Sequence, residues 1–78
     1  AATPTPHSKA LVQEWLQGKG YALPQYTVVS VTGEDHNQQF EVSCHSDVGD
    51  LVTYGRASSR KKAEQAAAHD LLEILIND

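Results

Sequence analysis

The sequence has no methionine, one tryptophan, one phenylalanine and one cysteine among its 78 residues. A lone Cys44 excludes an internal disulfide and a cysteine zinc site, and suits a reducing compartment. No apolar run reaches the ~18 residues of a membrane span. The leading "AATPTPHSK" lacks the apolar segment of a signal peptide. These absences point to a soluble intracellular domain without a membrane, cytoplasmic by expectation. Chemistry is missing too: no Ser-His-Asp pattern, no clustered carboxylates and no Gly-rich phosphate loop are present, and His7, His45 and His69 have no ligand spacing with one another or with Cys44. No catalytic residue, metal site or cofactor is expected within this chain. At this length there is room for one domain with one modest core.

Cations are also scarce, six against ten acids, for a formal charge of −4. That balance argues against an anionic partner. Their placement argues the other way. Residues 56–64 hold Arg56, Arg60, Lys61 and Lys62 against Glu64 alone, a local +3, while the remainder carries Lys9 and Lys19 against nine acids.

Residues 1–7, which contain "ATPTP", read as a linker or flexible lead-in, as of a domain cut from a longer chain, with residues 8–78 as the domain. From Ser8 to Gln17, Leu11, Val12, Trp15 and Leu16 make an amphipathic helix that Gly18 can close, with Lys9, Gln13, Glu14 and Gln17 on the other face. "YTVVSVT" (26–32) has the β-branched and aromatic content of a strand, and "GEDHN" (33–37) breaks it. "QFEVSCHS" alternates Phe40, Val42 and Cys44 against Glu41, Ser43 and His45, a half-buried strand. "DVGD" turns again and "LVTYGRA" (51–57) forms a third strand. Short turns imply an antiparallel meander. A last helix over about 59–76 puts Ala63, Ala66, Ala67, Leu71, Ile74 and Leu75 on one stripe, small residues first and large ones later. The expected fold is α+β, in the order α-β-β-β-α, with both helices on one face of the sheet.

Within that frame "SSRKKAEQAAA" (58–68) is anomalous. Ser58 and Ser59 fall where an N-cap belongs, so Arg60, Lys61 and Lys62 fall in the first turn, where the helix dipole is positive and each exposed cation costs ~0.3–1 kcal/mol. Solvated surface charge is the plain explanation. A phosphate ligand is the better one, because free backbone N–H groups, the dipole and added cations together form an anion site. Gln13 and Glu14, exposed on the first helix, either serve solubility or read hydroxyls such as a ribose 2′-OH. His36 is either turn chemistry or a probe of a groove. Cys44, Trp15 and Phe40 read as packing residues.

The segments "LVQEWLQGKGYALPQY" (11–26), "GEDHNQQFEVSC" (33–44) and "YGRASSRKKAEQAAA" (54–68), set in α-β-β-β-α order, resemble the double-stranded RNA-binding domain, and most closely that of bacterial ribonuclease III. The resemblance implies three contact regions on one face of the domain. Such domains span about 16 bp of A-form duplex, touching two successive minor grooves and the major-groove phosphates between them. Carried over by position, Gln13 and Glu14 meet one minor groove, Gly33, Glu34 and His36 the next, and Ser59, Arg60, Lys61 and Lys62 the phosphates. The family's usual lysine after the alanine is Glu64 here, as often in ribonuclease III relatives, and Asp35 adds an acid to the second region. The implied partner is double-stranded RNA. The implied parent is a Mg2+-dependent endonuclease that processes rRNA and mRNA precursors as a homodimer through a nuclease domain outside this chain. The alternative is a protein-interaction domain of the same fold, marked by exposed apolar residues on the outer sheet face or last helix.

Overall fold

The computed structural model describes residues 7–77, and the lead-in expected over 1–7 lies outside the described residues except for His7, whose carbonyl accepts the Leu11 N–H at 2.9 Å. Helix α1 (Ser8–Gly18) is followed by strands β1 (Gln25–Thr32), β2 (Gln39–Ser46) and β3 (Leu51–Ala57), then helix α2 (Arg60–Ile76). The strands form one antiparallel sheet in the order β1-β2-β3. The turn before β3 closes as a short 3-10 helix, Val48–Asp50, in which Gly49 and Asp50 both have positive φ.

Helix α1 buries Ser8, Val12 and Leu16, one residue every fourth position, so its buried stripe is narrower than the sequence pattern implied. Leu11 stays exposed and Trp15 is half-buried, with Tyr21 stacked on it at 6.4 Å between centroids. Gly18 does not close the helix. It is the last helical residue, and the positive φ falls on Gly20 (81°) while the N–H groups of Lys19, Gly20 and Tyr21 return to the carbonyls of Leu16 and Gln17.

Along β2 the alternation holds: Val42 and Cys44 are buried and Phe40 is half-buried. Burial also pushes the Cys44 thiol up, as a neutral core residue requires. In β3 the pattern is inverted relative to side-chain size. Thr53 and Gly55 face the helices, while Val52 and Tyr54 face out. Helix α2 explains this. A Cβ on Gly55 would lie 2.2 Å from the Ala63 carbonyl oxygen and 2.5 Å from the Ala67 nitrogen, so strand and helix backbones are nearly in contact there. The Thr53 hydroxyl donates to the Ala67 carbonyl at 2.7 Å, a second tie at the same level.

The core joins Val12 and Leu16 of α1, Cys44 of β2, and Ala67, Ala68, Leu71 and Leu75 of α2. Full burial of Leu16 and Leu71 contributes about 1.5–3 kcal/mol each. Ile74 lies outside this core, exposed, and Ala68 takes the inward position instead. The small first half and large second half of α2 set its tilt, close to the sheet at Gly55 and filling the far end with leucines.

Candidate nucleic-acid interface

Ser59 caps α2. It is extended (φ −143°, ψ 156°) and its hydroxyl accepts the Lys62 N–H at 3.2 Å, which fixes Arg60, Lys61 and Lys62 as the first turn with no acid among them. Lys61 and Lys62 are exposed and make no ion pair among the described residues. Two other cations of the cluster are engaged. Arg56 points to the outer sheet face, opposite Glu41 in the ladder, and its Nε donates to Glu41 at 3.1 Å. Arg60 Nε donates to Glu64 one turn along, also at 3.1 Å. The compact basic edge suggested by the sequence thus reduces to two unpaired lysines at a helix start.

Glu64 is the hub of this region, with only 13% of its side chain exposed. Its second oxygen accepts from Lys9 Nζ at 2.9 Å, and beside it Gln65 Oε1 accepts the backbone N–H of Lys9 at 2.9 Å. That N–H is one of the first-turn donors of α1 that have no acceptor within the helix, so α2 caps α1. The Lys9 ammonium also lies 4.8 Å from the Tyr26 ring centre. Burial opposes ionisation of Glu64, but the hydrogen bonds and charges of Lys9 and Arg60 outweigh it and hold the carboxyl below its ordinary range. Lys9 and Gln65 were not among the expected site residues. Their contact spans 56 positions of the chain, and no local pattern announces it.

On α1, Gln13 is half-buried and Glu14 exposed, one turn beyond Lys9. The 33–37 loop is exposed throughout, and Glu34, Asp35 and His36 project at its tip. Gly33 has a conformational role there: φ is +90°, and a Cβ would meet the Asn37 carbonyl oxygen at 2.3 Å. The Asn37 N–H donates to the Glu34 carbonyl at 2.8 Å and closes the turn.

The sheet register puts these regions in order. Phe40, just after the loop, pairs with Ala57, just before Ser59, so the loop and the start of α2 share one end of the sheet. Lys9 lies over Tyr26, six residues along β1 from the loop end at Thr32, roughly 20 Å at about 3.3 Å per residue. The first turns of α2 lie between, joined to Lys9 through Glu64. The structure therefore brings the start of α2 beside both other regions and keeps α1 and the loop apart.

This chain matches a family model described as the double-stranded RNA binding motif over residues 8–75. The chain belongs to that family. Among curated relatives it is 49% identical over 69 residues to Ribonuclease 3 of Vibrio cholerae, covering 88% of this chain and 31% of the relative. It is 52% identical over 67 residues to Ribonuclease 3 of Shewanella frigidimarina, covering 86% and 30%. The double-stranded RNA-binding domain thus spans under a third of the length of these ribonucleases. A solution structure of both such domains of DRB4 with their linker superposes with a TM-score of 0.68 over the whole of this chain and 49% of that one, at 24% identity, a likeness of fold. Among the described residues of the domain, no group of three or more His, Cys, Asp or Glu is placed to hold a metal ion, and no helix is long and apolar enough to cross a membrane.

Proposed function

We propose that this domain binds A-form RNA duplex through α1, the 33–37 loop and the first turn of α2, and that it is the substrate-binding part of a ribonuclease III-type endonuclease. The observation that carries the reading is the order of the three regions: the α1 end marked by Lys9 and the exposed loop lie roughly 20 Å apart along β1, with a cation-bearing helix start between them. An A-form duplex presents the same sequence of features, minor groove, phosphates, minor groove. Gln13 and Glu14 would read one minor groove, Gly33, Glu34 and His36 the next, and Ser59, Arg60, Lys61 and Lys62 the intervening phosphates. On this reading the parent cleaves duplex RNA such as rRNA and mRNA precursors, which the likeness to Ribonuclease 3 supports, and it would work as a cytoplasmic homodimer through its nuclease domain and use Mg2+. Residues of that nuclease domain would hold the metal, since these do not fit it.

Binding of the chain to a ~20 bp RNA duplex and to the matching DNA duplex at 50 and 200 mM salt tests the reading. Salt-sensitive binding to RNA with little to DNA supports it. One observation favours a second reading as a protein-interaction domain: Val52 and Tyr54 on the outer sheet face and Ile74 and Ile76 on α2 are all exposed. Absence of RNA binding by the folded domain at 50 mM salt would favour that alternative.

A further inference from the structure

The cation cluster at the start of α2 has a built-in counterweight. Glu64 is nearly enclosed, accepts from Arg60 Nε at 3.1 Å and from Lys9 Nζ at 2.9 Å, and is held in place from the other side by the adjoining Gln65–Lys9 backbone contact. Lys9 is further fixed against the Tyr26 ring. Arg60, by contrast, keeps 61% of its side chain exposed and sits beside Lys61 and Lys62 in the first turn of α2. One carboxylate thus faces two cations, of which Arg60 is the more exposed, at 61% of its side chain against 31% for Lys9.

We infer that Glu64 is an affinity-setting residue of the RNA interface, cancelling the charge of Arg60 so that Lys61 and Lys62, and not Arg60, neutralise phosphates. This rests on the duplex-binding reading above and narrows it at Arg60, which would lie beside the phosphates with its charge already paired to Glu64. A largely enclosed carboxylate tied to a second helix does not swing away, so a phosphate approaching Arg60 meets the negative charge of Glu64 within the same hydrogen-bonded group. Each phosphate neutralised by a cation adds about 0.9 to the dependence of log affinity on log salt, measured for B-DNA and used here as the scale. Glu64→Gln keeps the side-chain length and an oxygen acceptor for Lys9 while removing the charge.

The test measures affinity of the 78-residue chain and its variants for a ~20 bp RNA duplex between 50 and 200 mM salt. Glu64→Gln should bind more tightly, with a slope steeper by about 0.9, so that its advantage is about 3.5-fold larger at 50 mM than at 200 mM. Adding Arg60→Ala to Glu64→Gln should abolish that gain. In the wild-type background Arg60→Ala should lower the slope by less than half as much as Lys61→Ala, a comparison that leaves Glu64 untouched. A wild-type slope in a folded Glu64→Gln variant, an equal gain with and without Arg60, or equal losses for Arg60→Ala and Lys61→Ala would each overturn the inference while leaving duplex binding intact. No RNA binding by any variant at 50 mM would overturn both.

Discussion

Replacing Gly55 by alanine adds one methyl carbon where β3 and α2 nearly touch. That carbon would stand 2.2 Å from the Ala63 oxygen, 2.5 Å from the Ala67 nitrogen and 2.9 Å from the Ala66 Cβ. Two of the three are backbone atoms of a helix and cannot rotate away. Relief to an ordinary contact near 3.4 Å requires α2 to lift by about 1 Å, against a core packed to crystal-like density. Such overpacking costs typically 1–3 kcal/mol, and the absence of a movable side chain at the two closest atoms places Gly55→Ala at the upper end, about 2–3 kcal/mol. For a domain of this size each 1 kcal/mol shifts the melting temperature by about 4–8 °C, so a fall of roughly 10–20 °C is expected. Thermal and urea unfolding followed by circular dichroism would measure it. The variant that folds should also bind RNA more weakly, because the displaced helix carries Lys61 and Lys62 away from their position beside the loop. A melting temperature within about 3 °C of wild type would refute the close approach on which this geometry depends.

Lys61→Ala should weaken binding about equally for duplexes of any sequence and reduce the salt slope by about one, since a phosphate contact carries no sequence information; filter binding across three duplexes checks it, and an unchanged slope would place Lys61 off the interface. Replacing Gln13 and Glu14 together by alanine should narrow the preference for RNA over DNA duplex, and unchanged discrimination would count against 2′-OH reading by α1. Because the Glu64 carboxyl titrates lower in the folded chain than in the unfolded one, its contribution to stability is full above the ordinary glutamate value of about 4.3 and is lost as pH falls through the folded value. Glu64→Gln should therefore flatten the fall in melting temperature below about pH 5, and parallel profiles for the two proteins would contradict the Lys9–Glu64–Arg60 network.

The order of elements was legible because each carries its own local signal: the β2 alternation of Phe40, Val42 and Cys44, the serine before the α2 cations, the turn residues of "GEDHN". The double-stranded RNA-binding resemblance was legible for the same reason, in the ordered run from Gly55 to Ala68. What was not legible is set by partners distant in sequence. Leu11 was expected inside α1's stripe, yet only the Val12 and Leu16 side faces the core. Ile74 was expected inside and lies out, because the tilt of α2 follows from Gly55 and its alanines. In the middle of β3 Val52 and Tyr54 are outside and Thr53 and Gly55 inside, the reverse of what hydrophobicity alone suggests, again because a helix backbone occupies the space over Gly55. The cation cluster looked stronger in the sequence than it is in space, since Arg56 alternates to the outer face and Glu64 claims Arg60.

The account depends most directly on which face of the domain meets RNA. Titrating isotope-labelled chain with a ~20 bp RNA duplex and following backbone amide shifts would map that face. The predicted result is perturbation of Gln13 and Glu14, of Gly33 to His36 and of Ser59 to Lys62, with Val52, Tyr54 and Ile74 unmoved. Perturbation confined to the outer sheet face and the C-terminal half of α2, with the α2 start silent, would contradict it.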